Sequence, residues 1–204
     1  MSEDSEIEGQ KTVRMHRAGD RLFDRYVLLE RLGQGGMGVV WKARDERLDI
    51  DVALKVLPDS LRTNEGALAQ LKHEAQKCVR LTHSRIVRIF DLMVTEDLAA
   101  LTMEFVDGKT LAQLREEKPD AVFSVEEIEG WVRQIGEALV YAHTEARIVH
   151  RDLKPSNVMI GADGNIKVAD FGISRSLGGT MTGPIMREMV TGTLSYMGRA
   201  ISFL

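Results

Sequence analysis

The sequence predicts an α+β protein in two lobes, the first β-rich and the second α-rich. Three observations carry that expectation. Strand-like stretches crowd between Tyr26 and Val106 with a single helical pattern among them, a capping box at Ser124-Val-Glu-Glu127 opens a long amphipathic helix, and Asp107-Gly108 makes a natural hinge between the two textures.

Each element follows from local pattern. Tyr26-Val-Leu-Leu-Glu-Arg-Leu32 is strand-like and runs into Gly33-Gln-Gly-Gly-Met-Gly38, after which Val39-Val-Trp-Lys-Ala-Arg44 resumes: strand, glycine turn, strand. Asp51-Val-Ala-Leu-Lys-Val-Leu57 is a third strand, stopped by Pro58. From Glu65 to Leu81 the apolar residues Leu68, Leu71, Ala75 and Val79 recur every three or four positions, which predicts the one long helix of the first lobe. Ile86 to Val94 and Leu98 to Val106 are two further strands around Thr95-Glu-Asp97, so a five-stranded sheet is expected. Beyond the hinge, Thr110 to Glu117 is a short helix. A longer one runs from the capping box to about Glu145, with Ile128, Trp131, Ile135, Leu139 and Ala142 on one stripe. Val158-Met-Ile160 and Ile166-Lys-Val168 are short strands, and Ile173 to Thr193 reads as a loose segment. Residues 1–20 are polar, acidic and then basic, and read as a flexible tail; 21–106 form the first lobe and 107–197 the second.

Composition narrows the function. The 204 residues carry 27 Lys plus Arg against 31 Asp plus Glu, a net charge of −4, so no global basic field favours nucleic acid or an anionic membrane. Cys78 is the one cysteine, which excludes an internal disulfide and suits a reducing cytoplasm. No apolar run reaches the length of a membrane span, and the acidic start is unlike a signal peptide.

Four motifs carry chemistry. Gly33-x-Gly35-x-x-Gly38-x-Val40 lies between strands, where glycines let backbone N–H groups approach phosphate oxygens; a plain hairpin with a glycine bulge is the bland alternative. The motif precedes a strand and not a helix, which argues against a dinucleotide-binding unit. Val52-Ala-Leu-Lys55 puts a lysine in an otherwise apolar strand, so an anion must lie near it if that strand is central, with Glu74 and a phosphate as candidates. An edge-strand lysine facing water is the other reading. His150-Arg-Asp152-Leu-Lys154-Pro-Ser-Asn157 gathers a carboxylate, a cation and a carboxamide in a loop that Pro155 keeps from becoming helix. Asp152 can take a proton from a hydroxyl, Lys154 can neutralise a phosphoryl group and Asn157 can hold a metal by its carbonyl oxygen. Asp170-Phe-Gly172 follows a short strand and offers a carboxylate that could ligate Mg²⁺, with the glycine letting the chain turn.

The ordered set Gly33–Val40, Lys55, Glu74, His150–Asn157 and Asp170–Gly172 resembles the eukaryotic-type protein kinase signature, over about residues 24–197. Gly33-Gln-Gly-Gly-Met-Gly38 and Val106-Asp-Gly-Lys-Thr-Leu111 resemble the bacterial Ser/Thr branch. The resemblance implies a protein-kinase-like two-lobe fold, ATP and Mg²⁺ as cofactors, and transfer of the γ-phosphoryl group to Ser/Thr hydroxyls. It implies that Lys55 contacts phosphates and pairs with Glu74, that Asp152 is the base beside Lys154, and that Asn157 and Asp170 hold Mg²⁺. The phosphates would lie under Gly33, Gly35 and Gly38. Adenine would lie among Leu32, Val40, Ala53, Met103 and Met159, with the backbone of Glu104 and Val106 bonding the base. Arg151 resembles the arginine of kinases switched on by activation-loop phosphorylation, for which Thr180 and Thr182 are the expected sites and Thr191 a weaker one.

After Met197 the family normally continues with Ala-Pro-Glu and further helices, whereas here Gly198-Arg-Ala-Ile-Ser-Phe-Leu204 forms a divergent end. An incomplete second lobe is therefore expected, with helix faces left uncovered and a homodimer as one way to hide them. The expected partners are ATP and a Ser/Thr-containing protein, or the chain itself. Two alternatives stand beside this reading: a weak or inactive regulatory ATP-binding module, and a small-molecule phosphotransferase of similar fold.

Overall fold

The computed structural model describes residues 16–35 and 38–171. The first lobe is a six-stranded antiparallel sheet in the order β1-β2-β3-β4-β6-β5, comprising β1 (Arg21–Leu22), β2 (Tyr26–Gly35), β3 (Gly38–Asp45), β4 (Ile50–Val56), β5 (Ile89–Val94) and β6 (Ala99–Glu104). One strand more than expected is present, because Arg21 and Leu22 pair with Val27 and Tyr26, a stretch too short to show any period. Just before it, Gly19 N–H donates to the Leu28 carbonyl at 2.7 Å and Asp20 accepts from Leu28 at 2.9 Å, so pairing with β2 already begins there.

Alternation on β4 and β6 sorts the core. Val52, Leu54, Val56 and Ala100 join Tyr26, Leu28 and Trp41 in a cluster confined to the first lobe. Ala53, Leu101 and Met103 face the other way, into a larger cluster that takes in Leu71, Ala75 and Cys78 from a helix and continues into the second lobe. That helix, α2 (Glu65–Cys78), follows the single turn α1 (Asp59–Arg62). It is capped by Asn64, whose side chain accepts from the Ala67 N–H at 3.0 Å.

The strand expected from Ile86 begins only at Ile89. Ile86 instead forms a parallel bridge to Val168 of the other lobe, with Val87 N–H donating to the Val168 carbonyl and Val168 N–H to the Arg85 carbonyl, each at 2.9 Å.

The second lobe holds α3 (Leu111–Glu116) and α4 (Val125–Thr144), both opened by complete capping boxes. A small sheet, β7 (Gly108–Thr110), β8 (Val158–Gly161) and β9 (Ile166–Val168), completes its described part. α4 contributes Ala138 and Ala142 to the shared core, with Trp131, Ile135 and Leu139 packed at its edge. No helix among the described residues is long and apolar enough to cross a membrane.

Candidate active site

β4 lies between β3 and β6, so Lys55 stands in the centre of the sheet and not at its edge. It is only 5% exposed, on the face that carries Ala53 and the larger core. A buried ammonium needs an anion, and the structure supplies one: Lys55 Nζ donates to Asp170 Oδ1 at 2.9 Å and Oδ2 at 3.1 Å. The resemblance implied Glu74 as the partner, and here the structure differs. Glu74 pairs at 3.3 Å with Lys77, the cation one turn along its own helix, while the Asp170 carboxylate takes Lys55 with both oxygens.

The glycine motif divides by role. Gly38 has φ +116°, and a Cβ there would sit 2.0 Å from the Val56 carbonyl oxygen, so the fold itself requires glycine. A Cβ at Gly33 or Gly35 would meet nothing within 4 Å, so the fold leaves space above these two that a phosphate can use. The residues expected around adenine come from four strands: Leu32 on β2, Val40 on β3, Ala53 on β4 and Met103 on β6, with Ala53 and Met103 paired in register. Val40 and Val106 pack against the shared core, and Met159 lies on β8.

In the loop after α4, a 3-10 turn at Pro155–Asn157 brings the polar groups together. Lys154 Nζ donates to Asp152 Oδ2 at 2.8 Å. Asn157 gives its amide N–H to the Asp152 backbone carbonyl at 2.8 Å and to Oδ2 at 3.4 Å, which leaves its own carbonyl oxygen as the atom for a cation. Asn157 also accepts the Ala169 N–H on its backbone oxygen at 2.8 Å, tying this loop to the residue before Asp170.

His150 sits beneath both loops. Its Nδ1 accepts from the Asp152 N–H at 3.3 Å, so Nε2 carries the proton and donates to the Ala169 carbonyl at 2.8 Å. Burial holds its pKa below the usual histidine value, which keeps the ring neutral. The ring packs at a tilt of 57° against Phe171, 4.6 Å between centroids. From the other side Cys78 Sγ donates to the Phe171 carbonyl at 3.1 Å, its thiol pushed up to about 12 chiefly by burial and so always a donor. The carbonyls flanking Asp170 are thus each held by a side chain, one from the second lobe and one from α2. Asp170 itself has φ +59° and Arg151 φ +68°, left-handed conformations that are uncommon outside glycine, more so for arginine than for aspartate.

Sequence reasoning passed over three of these groups. Cys78 read only as a sign of redox compartment, Lys167 only as a strand residue, and Glu104 only for its backbone. Yet Lys167 Nζ lies 2.6 Å from Glu104 Oε1. Nothing local signals that contact, because it joins residues 63 positions apart. Gly172, Thr180, Thr182 and Thr191 lie outside the described residues.

The donor set fits a hard cation. Asn157 and Asp170 offer oxygen ligands only, and no cluster of three or more His, Cys, Asp or Glu occurs among the described residues, so substrate phosphates would complete the shell of a Mg²⁺ ion.

Fold and site define a two-lobed domain in which a buried lysine paired with a carboxylate lies beside a polar loop, and comparison with known proteins specifies its family. A family model described as the protein kinase domain matches residues 26–201, and the chain belongs to that family. It is 38% identical over 162 residues to the serine/threonine-protein kinase PrkC of Bacillus subtilis (strain 168), covering 79% of this chain and 24% of PrkC. It is 38% identical over 181 residues to the serine/threonine-protein kinase PknB of Mycobacterium tuberculosis, covering 86% of this chain and 28% of PknB. A crystal structure of the Mycobacterium tuberculosis PknI kinase domain superposes with a TM-score of 0.69 at 29% identity, covering 78% of this chain and 64% of that one. The chain therefore spans about a quarter of the length of these curated relatives.

Proposed function

We propose that this chain transfers the γ-phosphoryl group of ATP to a Ser or Thr hydroxyl, on a protein substrate or on itself. The observation that carries the reading is the meeting of Lys55 and Asp170 at 2.9 Å across the two lobes, beside a loop in which Asp152, Lys154 and Asn157 are already hydrogen-bonded together. Relatives named as serine/threonine-protein kinases support it.

The roles follow from the chemistry of each group. Lys55 binds phosphate oxygens, and Gly33 and Gly35 present backbone N–H groups to them. Asn157 and Asp170 hold Mg²⁺, which when bound offsets the charge of the phosphates. Asp152 uses a carboxylate oxygen to accept the proton of the attacking hydroxyl as the new O–P bond forms. The bond from the γ-phosphorus to its bridging oxygen breaks, ADP leaves, and the proton remains on Asp152. Lys154 neutralises charge beside it. Thr180 and Thr182 are the proposed acceptors when the chain phosphorylates itself.

A second reading, a regulatory ATP-binding module with little transfer, is favoured by one observation: Glu74 pairs with Lys77 and not with Lys55. Incubation with labelled ATP and Mg²⁺, with and without a basic protein substrate, separates the two. Transfer is expected in the wild-type chain, lost in Asp170→Asn and suppressed in Asp152→Asn, which still binds ATP. Nucleotide binding without any incorporation after long incubation would select the regulatory reading.

A further inference from the structure

We propose that Glu104 and Lys167 form a clasp between the lobes that sets the width of the adenine slot, making Lys167 a positioning residue for the base; this rests on the nucleotide-binding reading above. Glu104 is the last residue of β6, where the chain leaves the first lobe, and Lys167 is the middle residue of β9, three before Asp170. The ammonium lies 2.6 Å from Glu104 Oε1. The other oxygen, Oε2, accepts the Arg88 N–H at 3.2 Å, while Glu104 N–H donates back to the Arg88 carbonyl at 2.8 Å. One carboxylate therefore holds its own lobe with one oxygen and the opposite lobe with the other.

Three features separate this pair from an ordinary surface ion pair. Its side chains are only 24% and 29% exposed, so solvent screens it less than it screens free surface charges. Both ends are carried by paired strands and not by loops, so the backbone at each end is held in place. And the pair adjoins both walls of the slot. Glu104 follows Met103, which pairs with Ala53 on β4, whereas Lys167 is the register partner of Met159 on β8. Met103 and Met159 are the residues assigned to the adenine, so this contact, through the β8–β9 pairing, ties together the strands that carry them. Lys42, 4.5 Å above the Phe105 ring, steadies the next residue of the hinge.

The clasp acts on the base and not on the phosphates, and that makes it testable without turnover. Calorimetric titration of the full chain with adenosine and with Mg·ATP is run on wild type, Lys167→Met, Lys167→Arg, Glu104→Gln and the Glu104→Gln/Lys167→Met double variant. Thermal melts confirm that each is folded. Adenosine and ATP affinity should fall about fivefold in the Met and Gln variants, the size expected for a partly buried charged hydrogen bond. The Arg variant should recover most of it, and the double variant should be no weaker than either single one. Wild-type adenosine affinity in Lys167→Met, or losses that multiply in the double variant, would overturn the clasp while leaving nucleotide binding intact. A wild-type chain that takes up neither adenosine nor ATP would overturn the nucleotide reading and this inference with it.

Discussion

Gly33 and Gly38 belong to one motif but answer to different demands. At Gly38 a methyl group would strike the Val56 carbonyl at 2.0 Å in a backbone conformation that side chains rarely adopt, so Gly38→Ala should cost about 3 kcal/mol. Gly33→Ala meets open space and should change stability by less than about 0.5 kcal/mol, yet weaken ATP by crowding the phosphates. Urea unfolding and nucleotide titration of the two variants would check the contrast. His150 gives a pH signature. Well above its usual pKa near 6.5 neither folded nor unfolded chain protonates this ring. As the pH falls through that value the unfolded chain gains the proton while burial denies it to the folded one, so stability drops until the lower folded pKa is passed. His150→Gln, which cannot titrate, should therefore show a smaller fall in melting temperature between about pH 7.5 and 5.5. The candidate residues themselves are legible in the sequence, because glycines, lysine, carboxylates and carboxamide stand there in the order that the family resemblance implies. The partners were not. Lys55 and Asp170 are 115 positions apart, and no local pattern tells a lysine which of two carboxylates it will meet.

Among the elements, α4 was the most legible. Its start coincides with the sequence signature because Ser124 and Glu127 satisfy the first N–H groups reciprocally, at 3.4 Å and 2.8 Å. Ser124→Ala should accordingly cost about 1 kcal/mol in urea unfolding, without shifting nucleotide affinity. The expected span of α2 runs three residues too long, to Leu81, because Val79 keeps the apolar spacing from Ala75 after the helix has ended at Cys78. The entry to β5 was misread for a related reason. Periodicity shows that Ile86 and Val87 are apolar and extended, but not that they pair with Val168 across the lobes. β1 and β7, at two and three residues, are too short to show a repeated alternation and are made by their neighbours.

At the scale of the whole molecule, the two lobes read from the hinge at Asp107-Gly108 share one core. Leu71, Ala75, Leu101 and Met103 from the first lobe lie in the same buried cluster as Ala138, Ile148, Ile166 and Val168 from the second. Polar ties cross alongside it: Lys55 to Asp170 at 2.9 Å, Lys167 to Glu104 at 2.6 Å, and Arg85 to Glu137 at 2.8 Å. Unfolding one lobe would expose apolar surface of the other, so the lobes should melt together. The opposing force is the second cluster, which lies wholly within the first lobe and could outlast the rest. The two tryptophans report on each side. Trp41 lies in the first-lobe cluster, its buried indole N–H without an acceptor among the described residues, so Trp41→Phe breaks no hydrogen bond to them. Trp131 lies on α4, edge-on to Phe123 at 5.5 Å. In Trp131→Phe the fluorescence follows only the first lobe, and in Trp41→Phe only the second. Each should trace the same urea midpoint as the far-ultraviolet circular dichroism of that same variant. A Trp41 signal that persists to higher urea than the circular dichroism would show that the first-lobe cluster folds by itself, and that the shared core joins the lobes too weakly to make them one cooperative unit.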